Sequence, residues 1–217
     1  MKKLFCFLVA LSLIATSVHA QKDKGGGGIQ WGVKLGPNFS SWSGNDAEPS
    51  SGEDKKMKLG LHGGVFVMIP MTSMLYFQPE LLYSGEGVKY EDAEEKATIT
   101  ANYLNVPLNL RLQTTSGFYL LLGPQLGFSL GGKTKQEFMG QESETDLDDE
   151  LRGMIFSGLI GAGFKSSSGF GVYARYARGF SKVFDFTGED DPEVYNSTLS
   201  LSLFYMFGAM KKGGNPQ

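Results

Sequence analysis

From Trp31 onward, apolar and polar residues alternate in runs of roughly ten, and the connectors between runs are alternately long and short. Period-two patterning sends successive side chains to opposite faces of an extended strand. One face of nearly every run is Leu, Val and Phe, which needs an apolar surrounding on that side. Tight turns at one end and long acidic connectors at the other fit antiparallel strands threaded through a membrane.

The runs predict about eight strands. The first spans Ile29 to Ser40, with Trp31, Val33 and Leu35 on one face. After a polar connector, Ser41 to Lys56, the second spans Lys58 to Ile69, where Leu59, Leu61, Val65, Val67 and Ile69 alternate with Gly60, His62, Gly64 and Phe66. Pro70 to Ser73 turns tightly into Met74 to Tyr90, which sets Leu75, Phe77, Leu81 and Tyr83 opposite Gln78, Glu80, Ser84 and Glu86. The fourth alternation is the cleanest: Leu104, Val106, Leu108, Leu110 and Leu112 against Asn105, Pro107, Asn109, Arg111 and Gln113. The turn Thr114 to Gly117 leads to Phe118 to Lys133, and the longest acidic connector, Thr134 to Glu150, follows. Leu151 to Lys165 is glycine-rich and its facing is ambiguous. Ser166 to Gly169 turns into Phe170 to Val183, and Asn196 to Phe207 closes the set after the acidic stretch Phe184 to Tyr195. The fold class is therefore all-β, an eight-stranded antiparallel transmembrane up-and-down β-barrel, with glycines serving kinks and close backbone approaches.

The N-terminus adds a compartment. Lys2 and Lys3 precede an apolar stretch, Leu4 to Ile14, too short to span a bilayer as a helix, and Val18-His19-Ala20 ends as a signal-peptidase site. The expected organisation is a signal peptide at 1–20, a flexible periplasmic lead-in at 21–28, an outer-membrane barrel at 29–208 and a tail at 209–217. Cys6 leaves with the signal, so disulfides and thiolate chemistry drop out. Losing Lys2 and Lys3 moves the formal charge from −3 to −5, which argues against nucleic acid as a partner.

Four stretches carry a family resemblance: Gly32 to Ser40 (GVKLGPNFS), Gln78 to Ser84 (QPELLYS), Tyr103 to Leu110 (YLNVPLNL) and Ala174 to Tyr176 (ARY). In these the chain resembles the small outer-membrane β-barrel proteins of Bacteroidetes called porin-family or PorT-like. The resemblance implies an outer-membrane location and an eight-stranded barrel. It implies no single activity.

Candidate chemistry sits on the inward row Glu80, Glu86, Asn105, Asn109, Arg111 and Arg175. Charges inside a small barrel must pair, and the expected arrangement is a structural plug with Glu80 bound to Arg111 or Arg175. The competing reading is a gated or narrow ion path along the same residues. His62 could act as a general base, with Ser50, Ser51 and Asp54 near it in sequence, but no spacing singles them out. Two acidic clusters, Glu142, Glu144, Asp146, Asp148, Asp149 and Glu150, and Asp185, Glu189, Asp190, Asp191 and Glu193, read as solvated loops; a calcium site there would lack any EF-hand pattern. Trp31, Tyr76, Phe77, Phe118, Tyr119, Phe170, Tyr205 and Phe207 are expected in interfacial girdles. No catalytic residue, cofactor or metal is assigned. The expected partners of a monomer are outer-membrane lipid, the barrel-insertion machinery (with Phe207 as the signal) and an envelope protein. A soluble lipocalin-like barrel is the remaining rival, disfavoured because the row Leu104 to Leu112 would leave a large apolar belt in water.

Overall fold

The computed structural model describes residues 28–48, 54–92, 95–138, 140–148, 150–185 and 192–207. The signal peptide, most of the lead-in, the C-terminal tail, Ser50, Ser51, Asp149 and Glu189 to Asp191 lie outside those residues.

Among the described residues nine strands form: β1 Gln30–Ser43, β2 Asp54–Pro70, β3 Leu75–Glu91, β4 Glu95–Gln113, β5 Phe118–Phe138, β6 Gln141–Asp146, β7 Met154–Lys165, β8 Phe170–Lys182 and β9 Tyr195–Phe207. Eight of them close a ring through antiparallel pairings, β5 joining β7 and β1 joining β9. One end carries the strand termini Gln30 and Phe207 and three short turns. Two of these turns share a chemistry: Thr114 and Ser166 each accept or give a hydroxyl bond two residues on, and Gly117 (φ 98°) and Gly169 (φ 94°) take the left-handed conformation that ends the turn. The other end carries the long loops.

The expected strand order is corrected at one connector. Thr134 to Glu150 is not a plain connector: β5 runs on to Phe138 and returns as β6, a hairpin of alternating charge rather than alternating hydrophobicity. Lys133 pairs with Glu144 and lies 3.9 Å from Asp146, and Lys135 lies 3.1 Å from Glu142. Above the ring, β2, β3, β4, β5 and β6 continue side by side as a five-stranded fin.

Outward positions bear the apolar belt. Leu35, Leu61, Leu120, Ile160 and Leu203 are all more than half exposed, as only a lipid-facing surface tolerates. At the short-turn end, Trp31 stacks on Phe207 (4.1 Å), Phe170 packs on Tyr205 (4.7 Å) and Phe118 on Phe164 (4.9 Å), a girdle of aromatic residues. Tyr76 and Tyr119 do not join it. Strand parity turns both inward, and Tyr119 is buried beside Tyr173.

Inward glycines have a packing role that explains their number. The rings of Phe66, Tyr173, Tyr119 and Phe204 lie over Gly32, Gly161, Gly163 and Gly171, in space a Cβ would occupy. A barrel this narrow can seat a large ring only where the facing position is empty. Gly171→Ala would put its Cβ 2.1 Å from the Phe204 ring and 2.4 Å from the Phe164 carbonyl oxygen. It is expected to cost about 1–3 kcal/mol by overpacking. Gly153→Ala, with nothing within 4 Å, should leave the urea unfolding midpoint unchanged.

Candidate functional site: the polar core of the barrel

Alternation places Glu80, Glu86, Asn105, Asn109, Arg111 and Arg175 inside the barrel, each at most 4 % exposed. The sequence reading missed Lys34. It occupies the inward side of β1, opposite Trp31, Val33 and Leu35, so the same parity would have found it.

Glu80 is the hub of the charges. Lys34 donates to its Oε1 at 2.7 Å, the Gln78 amide donates at 2.6 Å, and Arg175 Nη1 stands 3.7 Å from Oε2. Lys34 reaches Glu80 across β2 because its register partner there, Gly64, has no side chain. Arg111, an expected partner of Glu80, goes elsewhere: it donates to Gln78 Oε1 at 2.9 Å and lays its guanidinium 3.4 Å from the Tyr119 ring centre. Register explains the difference, since β3–β4 pairing sets Arg111 beside Tyr76, four residues short of Glu80.

A neutral relay continues toward the long-loop end. Arg175 Nε donates to Ser200 (3.5 Å), Ser200 to Asn38 (2.7 Å), Asn38 to Ser84 (2.8 Å) and Ser84 to Glu86 (2.6 Å). Asn105, Asn196 and Thr198 complete the shell of the Glu86 carboxylate. These are neutral donors, and they solvate the charge as water would. Asn109 is fully buried with neither amide atom bonded to protein.

His62 bonds Ser202 Oγ through Nε2 at 2.7 Å, and its Nδ1 has no protein partner. Asp54 does not orient it; eight residues along β2 separate the two by roughly 26 Å. Among the described residues no carboxylate bonds His62 Nδ1, and His62 and Ser202 are both buried.

Apolar clusters lie on either side of the relay. At the long-loop end, Trp42, Val88, Tyr103 and Ile155 pack against loop residues Ala47, Leu147, Leu151, Val183 and Val194. At the short-turn end, Phe66, Met68, Leu121, Phe204 and Met206 pack around Tyr119 and Tyr173. The acidic loops are thus partly folded: Asp148 accepts from Gly132 N (3.0 Å), and Asp46 from Glu193 N (2.7 Å). Among the described residues, no group of three or more acidic, histidine or cysteine side chains could hold a metal ion. A concavity of about 840 Å³ belongs to the lipid-facing wall, lined by outward Leu35, Leu112, Leu120 and Leu203.

The profile of the outer membrane protein beta-barrel domain matches residues 19–185, which include β1 to β8 and all six of the inward residues above. The chain belongs to that family. Among solved structures, this family barrel is similar to Ail, the attachment invasion locus protein of Yersinia pestis (16 % identity, 82 % of this chain and 98 % of that one, TM-score 0.47). It is also similar to neisserial surface protein A (12 %, 82 % and 99 %, TM-score 0.46) and to OprG of Pseudomonas aeruginosa (9 %, 82 % and 95 %, TM-score 0.41). Among curated proteins, none matches.

Proposed function

We propose that this outer-membrane barrel is closed to solutes and works as a structural and interaction protein at its long-loop end, where it binds an envelope partner. It is not an enzyme in this reading, it is a monomer in lipid, and it is delivered by a signal peptide to the barrel-insertion machinery. The motifs at Gly32, Gln78, Tyr103 and Ala174 support a place among the PorT-like barrels of Bacteroidetes.

The observation that supports the reading is the burial of the inward side chains. Apolar side chains lie at both ends and polar ones, most of them hydrogen-bonded or ion-paired, between them, while β2 to β6 extend beyond the belt as a fin. Among the described residues the outer edge of that fin, β6, pairs only with β5, and every one of its residues is exposed. Rim-level contact with another protein is what such an edge supports.

Single-channel conductance of the folded protein in a planar bilayer tests the reading. Silence is expected. Steady openings that change in Arg175→Ala would overturn it and establish the second reading, a narrow ion path along Lys34, Glu80 and Arg175. That second reading is favoured by a single feature, the unbroken polar relay from Arg111 to Glu86.

A further inference from the structure

The charges inside the short-turn half of the barrel do not balance. Lys34, Arg111, Lys165 and Arg175 point inward there, and Glu80 is the one carboxylate among the described residues that answers them. None of the three turns at that end, 71–74, 114–117 and 166–169, contains a charged residue. Glu86 lies six residues further along β3 and is engaged by its own neutral shell. The cations are close neighbours: Lys34 is within electrostatic reach of Arg111 and Arg175, and Lys165 of Arg111.

The same region holds hydrogen-bond donors without acceptors. Arg111 spends Nη1 on Gln78, but Nε and Nη2 have no protein partner. Those two atoms form the side-on edge of the guanidinium, the fork that grips an anion with two parallel bonds. Arg175 Nη1 makes no hydrogen bond and has only a 3.7 Å ion pair to Glu80 Oε2, and the Tyr173 hydroxyl is buried without an acceptor. Arg111 is held flat by Tyr119, Tyr119 stacks on Tyr173 at 5.9 Å, and Lys34 sits 4.7 Å from the Tyr173 ring centre. Arg111, Tyr173 and Lys34 are therefore fixed on one packed stack, and Arg175 joins it through Glu80, which Lys34 also binds. Arg111, Arg175, Lys34 and Tyr173 are each at least 96 % buried.

We propose that this half of the lumen binds a small anion on the free edge of Arg111, with Arg175 and Tyr173 as further donors. Water can satisfy the free N–H groups but leaves the excess positive charge buried, which is costly in a low-dielectric interior. An anion does both at once. The class is small and inorganic, a halide or a compact oxyanion, since the free donors are buried among packed rings.

The test replaces sodium gluconate by sodium bromide or sodium sulfate at constant ionic strength, with the folded barrel in nonionic detergent. The urea unfolding midpoint is expected to rise saturably with one of these anions, because a ligand of the native state stabilises it by mass action. A response to bromide alone marks a halide-sized site, and a response to sulfate marks an oxyanion site. Arg111→Gln should abolish the response, whereas Lys34→Met, which lowers the charge without touching the fork, should only weaken it. Bromide-soaked crystals should show an anomalous peak against the Arg111 guanidinium, a readout that does not depend on any variant folding. A wild-type midpoint indifferent to anion identity, an equal response in a folded Arg111→Gln protein, or no bromide at Arg111 would overturn the proposal.

Discussion

Replacing Glu80 with alanine is expected to lower the unfolding free energy by about 3–5 kcal/mol, the scale of breaking a buried ion pair by removing one partner. Lys34 and Arg175 would then face each other across a buried space with no carboxylate between them, and Gln78 would lose the acceptor that orients it toward Arg111. Glu80→Gln should cost less than the alanine, because an amide oxygen still receives the Lys34 ammonium. The double variant Lys34→Met/Glu80→Ala should be less unstable than the sum of its parts, since the stranded ammonium is gone. Arg111→Ala should fall well short of Glu80→Ala: it loses one hydrogen bond to a neutral amide and a ring contact but orphans no carboxylate. Urea titrations in micelles, followed by heat-dependent gel mobility, measure all four. A Glu80→Ala midpoint equal to wild type would mean the cations are solvated and the middle of the barrel is wet.

Parity made much of this legible in the chain, and closure made the rest illegible. The alternation of Leu104 to Leu112 with Asn105 to Gln113 is enough to send Asn105, Asn109 and Arg111 inward, and the structure keeps every one of them there. Which inward residues meet depends on how far each strand is staggered against the next, a property of the closed ring rather than of any one strand. Arg111 and Glu80 occupy adjacent strands yet miss each other for that reason, while Lys34 spans a whole strand over Gly64 to reach Glu80. His62 finds Ser202 the same way, across Gly36 on the strand between them. The β5–β6 hairpin escaped because its alternation is in charge: Lys133 and Lys135 against Glu142, Glu144 and Asp146 look like a solvated loop when only hydrophobicity is followed. Tyr119 follows lipid-facing Phe118, so strand parity sets it inward and out of the aromatic girdle.

Leu108→Arg is expected to block insertion of the folded barrel, with a charge at the middle of the apolar belt costing roughly 2–4 kcal/mol. Leu108 is central in the outward row of β4, flanked by Leu104, Val106, Leu110 and Leu112, and is 40 % exposed on a surface that contacts lipid. Thr100→Arg is the matched control. It lies on the same face of the same strand, about 27 Å further along at the usual rise per residue, in the fin beyond the belt. Its folded yield in vesicles should equal wild type. The sign of the Leu108 effect carries more than its size. In water, exchanging an exposed leucine for arginine removes apolar surface from solvent, so a soluble barrel of the same strand pattern would be unharmed or stabilised. Only a surrounding that cannot solvate the guanidinium makes the substitution damaging, and only on the outward face. A Leu108→Arg protein that folds as well as Thr100→Arg would therefore refute the assignment of this row to lipid.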